Sequence, residues 1–265
     1  MTTVPALVGI SHGTSSPDGR RAVRALHDAV AAALGTGHPD APPSTRLGHV
    51  DVEQPDVPAT LASLAPGEPA VVVPLLLSAG YHVHVDLTEA VEATADRRVV
   101  LAGALGPDDR LATVLARRLA EAGLRDDDLV VLSVAGSSDA RAVRDCHDMR
   151  ERLAAATGRD IRIGFLSAAE PLLPEAVAQA RAEAPGARVV VASYLLAPGY
   201  FQDLAEAAGA DLVTEPLIVP DAAPPHELVE IVLARYDVAV DSFPVVGERA
   251  QPPVVGERAQ PPVVE

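Results

Sequence analysis

The sequence predicts an α/β protein built as two tandem, duplicated lobes, each with a mainly parallel sheet flanked by helices. Three observations lead there. Residues 71–77 read Val-Val-Val-Pro-Leu-Leu-Leu; the run is too short to span a membrane and has no polar face, as in a strand buried on both sides. Short apolar runs of this kind alternate with segments of helical periodicity, the pattern of a sheet covered by helices. The second half also repeats the first in the same order: Leu129–Arg144 answers Leu7–Arg24, Val189–Leu204 answers Val71–Leu87, and Ile218–Asp221 answers Leu105–Asp108.

Taken in order, Ala6–Ser11 is a short apolar strand, followed by a loop of turn formers and small hydroxyl residues up to Gly19. A helix from about Gly19 to Leu34 follows, because Val23, Leu26, Val30 and Leu34 recur at its period. After a proline-containing linker, Arg46–Glu53 alternates. Gly48, Val50 and Val52 fall on one side and His49, Asp51 and Glu53 on the other, which reads as a strand with one polar face. Asp56–Leu64 is a short helix, Pro66-Gly67 a turn, and then comes the central strand of residues 71–77. The chain breaks at Ser78-Ala79-Gly80 and presents Tyr81, His82, His84 and Asp86. A helix over 86–95, a strand over 99–102 and an amphipathic helix over 107–122 complete the first lobe, 1–125. The second lobe is 126–241. Residues 242–265 contain Val-Val-Gly-Glu-Arg-Ala-Gln-Pro-Pro twice, a repeat without apolar periodicity that reads as a disordered tail.

Composition narrows the function. A formal net charge of −16 argues against nucleic acid or an anionic membrane as partner. All 21 basic residues are Arg, a compositional bias that lowers the weight of any single one. A single cysteine excludes an intramolecular disulfide and fits a reducing cytoplasm. The first ten residues have no basic region and read as neither signal peptide nor anchor.

Ligands of open α/β sheets bind outside the carboxyl ends of the strands, which places His12, Gly13 and Thr14 after the first strand and Gly80, Tyr81, His82 and His84 after the central one. The second copy keeps the glycines as Gly136 and Gly199 but has Ala135 and Phe201 where the first has His12 and His82. The histidines are therefore not demanded by the fold. If the segment after Gly80 stays extended, His82 and His84 share a face; if it turns helical at once, His82 and Asp86 do. His49, Asp51 and Glu53 read equally as ligands or as the wet face of an edge strand. Imidazoles and a carboxylate on separate loops suit a first-row divalent metal with open positions, and one cysteine is too few for a closed zinc site of the usual kind. Backbone amides at the helix start after His12, with Arg20, Arg21 and Arg24, attract anions.

These residues resemble a family. His12-Gly13 after the first strand, Leu76-Leu77-Ser78-Ala79-Gly80-Tyr81-His82 with Asp86 four residues later, and a degenerate repeat of both are similar to the class II chelatases of the sirohydrochlorin chelatase type. The resemblance implies two facing four-stranded lobes and insertion of a divalent metal, Fe2+ or Co2+ with Ni2+ as a third, into a modified tetrapyrrole. His12 and His82 stand at the family's metal-handling histidines. Where the family carries Glu-Leu-x-x-Pro, this chain has Asp51-Val52-Glu53-Gln54-Pro55, so Asp51 takes the acidic role with a shorter arm and His84 is a further ligand candidate. The substrate is expected to meet Gly13, Thr14, Arg20, Arg24, Gly80 and Tyr81, with its carboxylates at the helix start after His12 with Arg20, Arg21 and Arg24, and with Tyr200 and Phe201 as an apolar wall. The expected protein is a monomer or weak homo-oligomer in siroheme or cobalamin biosynthesis. A non-catalytic tetrapyrrole or metal carrier is the rival reading. A histidine phosphatase is a weaker one, because such an enzyme needs Arg where Ser11 precedes His12.

Overall fold

A computed structural model describes residues 4–78 and 80–243, without the side chains of residues 81–84 and 86. The tail expected over 242–265 lies outside the described residues from 244 onward. In the first half, β1 (Ala6–Ser11), α1 (Pro17–Gly37), β2 (Thr45–His49), α2 (Val57–Ala62), β3 (Ala70–Pro74), α3 (Tyr81–Glu92), β4 (Val99–Leu101) and α4 (Asp109–Glu121) follow one another. The second half repeats them as β5 (Leu129–Val134), α5 (Ala140–Thr157), β6 (Ile161–Phe165), α6 (Leu173–Glu183), β7 (Val189–Tyr194), α7 (Tyr200–Glu206), β8 (Leu212–Val213) and α8 (His226–Asp241). Each half forms one four-stranded parallel sheet, ordered β2-β1-β3-β4 and β6-β5-β7-β8. The two orders are the same, as the repeat in the sequence requires.

Both faces of each sheet are buried, which is why their central strands read as apolar runs. In β3, Val71 and Val73 face the large central core, while Ala70 and Val72 face a smaller one under α2 and α3. In β7, Val190, Ala192 and Tyr194 face the center, and Val189 and Val191 face the core under α6 and α7. Helix starts follow their caps. Ser16, Asp56, Asp108 and Asp139 each accept a hydrogen bond from a first-turn amide.

Several element boundaries differ from the expectation. Strand β3 is Ala70–Pro74 and not residues 71–77, because the parallel pairing with β1 ends at Pro74 although the apolar run continues. Helix α1 begins at Pro17 because Ser16 caps it and proline is favored in a first turn. Strand β2 stops at His49, since Val52 adopts φ 65° with its amide bonded to Asp51 Oδ1, which ends the alternation expected to Glu53. Helix α3 begins at Tyr81, directly after its cap residue Gly80, and not at Asp86.

The halves exchange helices. Helix α8 lies against α1 and against β3 and β4 of the first sheet, while α4 lies against α5 and β7 of the second. The exchange is fixed by polar contacts. Tyr236 on α8 donates to Pro5 O at 2.6 Å, and Arg235 donates to Ala104 O at 2.8 Å and Leu105 O at 3.1 Å. Arg117 on α4 and the buried Glu227 on α8 form a two-pronged pair at 2.9 and 3.0 Å. Burial is the largest single effect and raises the Glu227 carboxyl, but the Arg117 hydrogen bonds, a backbone hydrogen bond and the charges of Arg117 and His226 together hold the group below its ordinary range.

Two outcomes follow. A fragment of residues 1–125 keeps α1 but lacks α8, which leaves the part of its inner sheet face over β3 and β4 uncovered; it is expected to show no cooperative urea transition, whereas residues 1–243 show one. The Glu227 pair stabilizes the fold in full above the ordinary Glu pKa of about 4.3 and is lost as pH falls from there through the lower folded value. Urea titrations should therefore show Glu227→Gln less stable than wild type by about 1 kcal/mol at pH 7, with the gap closing in acid.

Candidate active site

The first strand ends in a turn that its sequence dictates. Ser11 is buried at 4% exposure, His12 is exposed, and Gly13 takes φ 95°. A Cβ on Gly13 would lie 1.9 Å from Asp51 O, so no other residue fits without moving the β2 edge. That edge runs beside the turn: Val50 N donates to Ser11 O and Asp51 N to His12 O, each at 2.9 Å. His12 and Asp51 are thus brought together through the backbone. Asp51 is exposed, with Oδ1 already accepting the Val52 amide at 2.7 Å.

Beneath His12 lies a polar set that the alternating pattern of β2 concealed. His49 is buried at 5% exposure, and its Nδ1 lies 2.8 Å from Ser11 Oγ. Burial lowers the His49 pKa, with Arg24 and Arg20 adding to the effect and Glu53 opposing it. Glu53 Oε1 accepts the Thr14 amide at 2.8 Å and lies 3.8 Å from His49 Nδ1. Glu53 Oε2 lies 3.2 Å from Arg20 Nε, which donates to Thr14 O at 2.9 Å. Arg20 is therefore partly committed to the loop. Arg21 pairs with Asp18 and, across the halves, with Asp221. Arg24 is exposed on the next turn of α1 and, among the described residues, has no ion pair.

The carboxyl ends of the two sheets face each other. A Cβ on Gly19 would lie 2.5 Å from Pro198 O, and one on Gly199 3.2 Å from Thr14 Oγ1, so the loop after β7 meets the loop after β1. A Cβ on Gly80 would lie 3.4 Å from Ser137 Oγ, so the loop after β3 meets the loop after β5. Tyr194 on β7 braces this junction by donating to Leu77 O at 3.1 Å. Tyr200 and Phe201 open α7 directly after Gly199; both are exposed, with ring centers 5.8 Å apart. Because α3 is helical from Tyr81, positions 82 and 86 stand one turn apart and the extended alternative for 82 and 84 is not adopted. The side chains of Tyr81, His82, His84 and Asp86 lie outside the described residues. Among the described residues, no three His, Cys, Asp or Glu side chains gather closely enough to hold a metal ion.

The alternation of β2 reads His49 and Glu53 equally as ligands or as a wet strand face; the structure instead buries His49 and leaves the Glu53 side chain 12% exposed. The signal was in the repeat: β-sheet register pairs Ser11 with His49 and Val134 with Phe165, which places the apolar pair of the second copy where the first has the polar one.

The turns after β1 and β5, their approach to the next strand and the facing strand ends form one pattern used twice. The CbiX family profile matches this pattern twice as well, over residues 6–122 and 129–236. The chain belongs to the CbiX family. Among solved structures, SirB from Bacillus subtilis with Fe3+ superposes on this CbiX-family chain at a TM-score of 0.70, with 18% identity over 89% of this chain and 95% of that one. SirB from Bacillus subtilis subspecies spizizenii in complex with cobalt gives 0.64, with 15% identity over 89% and 95%. CbiX described as the terminal enzyme of siroheme biosynthesis in denitrifying bacteria gives 0.55, with 17% identity over 86% and 98%. Comparison with curated proteins finds no matching sequence. Among the described residues no helix is long and apolar enough to cross a membrane.

Gly13→Ala places a Cβ against Asp51 O at a left-handed φ, and urea denaturation is expected to show a loss of about 1–3 kcal/mol. Gly35→Ala, which meets nothing within 4 Å on α1, should be neutral or stabilizing by up to about 1 kcal/mol.

Proposed function

We propose that this CbiX-family chain is a metal chelatase that inserts a divalent cation, Fe2+ or Co2+ with Ni2+ as a further substrate, into sirohydrochlorin or a related tetrapyrrole. The observation that carries the reading is the asymmetry of the two strand-end loops. One copy has the exposed His12 after its first strand, and the other has Ala135 in its place. Metallation exchanges two pyrrole N–H protons for one M2+, so the site must deliver the cation and accept two protons. A neutral imidazole does either, with a reference pKa of about 6.5. His12 and His82 take these two roles, with Asp51 beside His12 as a further oxygen donor and His84 as a lesser candidate.

The macrocycle occupies the junction between the facing strand ends. Tyr200 and Phe201 offer it an apolar surface, and Gly13, Thr14, Gly80 and Tyr81 line the approach. Arg24 and the outer part of Arg20 receive peripheral carboxylates. As a lyase of the ferrochelatase or cobaltochelatase type, the protein acts in the cytoplasm as a monomer or weak homo-oligomer, on siroheme or cobalamin precursors. A carrier on the same fold would bind tetrapyrrole or metal without turnover.

Following absorbance as purified protein, sirohydrochlorin and Fe2+, Co2+ or Ni2+ are mixed separates the two. Catalytic metallation is expected; stoichiometric binding alone identifies the carrier. His12→Ala and His82→Ala should each lower kcat at least about tenfold, or about 1.4 kcal/mol of barrier, with unchanged melting temperature. Both variants metallating at the wild-type rate would remove the assignment of the site to the first lobe.

A further inference from the structure

The polar set under His12 has a built-in control in the second copy. Matching the sheets by their registers sets Ser11, His49 and Glu53 against Val134, Phe165 and Ala169, and matching the buried faces of α1 and α5 sets Arg20 against Val143. Every polar member is apolar in the partner copy. The backbone is nonetheless the same. Gly13 and Gly136 have φ of 95° and 89°, with a Cβ on either falling 1.9 and 1.8 Å from the carbonyls of Asp51 and Ser167. Val52 and Ala168 share φ of 65° and 57°. Leu166 N donates to Val134 O at 2.9 Å, as Val50 N does to Ser11 O.

The fold thus forms this turn without any of the polar residues. Burying a histidine and a carboxylate whose side chain is 12% exposed carries a desolvation cost that Phe165 and Ala169 avoid. What the set adds is side-chain anchorage on both sides of His12. The Ser11 side chain is held by His49 and the Thr14 amide by Glu53, whose other oxygen lies against Arg20. The His12 carbonyl accepts the Asp51 amide and its counterpart Ala135 O accepts the Ser167 hydroxyl, so that point is held in both copies. The exposed His12 ring rises from the middle of that clamp.

We propose that His49 and Glu53, acting with Ser11, are positioning residues that lock the backbone on both sides of His12 and so fix where its ring meets metal and macrocycle. The inference rests on the chelatase reading. Holding a reacting group in place is worth orders of magnitude in rate, so loosening the clamp lowers turnover without removing a group that touches substrate.

Three variants test it: Glu53→Ala, Glu53→Gln, and the triple Ser11→Val/His49→Phe/Glu53→Ala, which copies the second lobe. Amide hydrogen exchange across residues 12–16 and Co2+ insertion into sirohydrochlorin are the readouts. Glu53→Ala and the triple variant should speed exchange at Thr14 and lower kcat, each at least about tenfold, with KM within about twofold. Glu53→Gln keeps an oxygen for the Thr14 amide and should stay within about threefold of wild type. The triple variant should melt at or above the wild-type temperature. An unchanged kcat, an unchanged exchange rate, or a triple variant that does not fold overturns the proposal. A wild-type protein that never metallates a tetrapyrrole overturns the function reading instead. Exchange together with Co2+ affinity then decides the clamp, both changing if it stands and either one staying at the wild-type value if it does not.

Discussion

Both sheets are apolar on both faces, and neither half supplies enough helix to cover its own. That constraint governs the molecule. Helices α1 and α8 cover the inner face of the first sheet and α4 and α5 that of the second, so one central core holds residues of both halves, among them Leu7, Val73, Leu132, Tyr194 and Tyr236. Each large side chain buried there contributes about 1.5–3 kcal/mol. The polar links on the exchanged helices, Tyr236 to Pro5 and Arg235 to Ala104 and Leu105, specify which sheet each helix takes. The carboxyl ends of the strands consequently face each other, and the candidate site lies where they meet.

Within this repeated frame the polar side chains at the strand ends are one-sided. The second lobe keeps what the backbone needs, a left-handed glycine after its first strand and a bend at Ala168, and has Ala135 and Phe165 where the first has His12 and His49. Phe165 sits where His49 does and packs its ring 6.1 Å from His147, so the same space is filled by an aromatic contact. Duplication thereby separates requirement from use at individual positions. A residue that differs in chemistry between copies of unchanged geometry is free of the fold.

Much of the fold was legible because parallel strands buried on both faces leave continuous apolar runs, and capping residues mark helix starts: the run from Val71, which outlasts the strand end at Pro74, and Asp56 are examples. His12 and Gly13 were legible from the repeat. The burial of His49 was not, because an alternating segment looks the same whether its polar face meets water or a buried partner, and only the tertiary position of Ser11 and Glu53 distinguishes them. The early start of α3 at Tyr81 was masked by Val83 and Val85, whose alternation with histidines also suits an extended chain. The helix exchange was invisible for a more general reason: periodicity says that a helix has a buried face and is silent about which sheet it meets.

The exchange has a consequence for how the junction between the lobes can open. Two domains joined by a simple linker open like jaws about a hinge. Here an opening of that kind would have to peel α8 from β3 or α4 from β7, exposing apolar core and breaking the Arg117–Glu227 pair. The aperture between the lobes is therefore stiff. Compliance is left to the strand-end loops around Gly13, Gly80 and Gly199, so any widening of the junction depends on local loop displacement on a fixed frame.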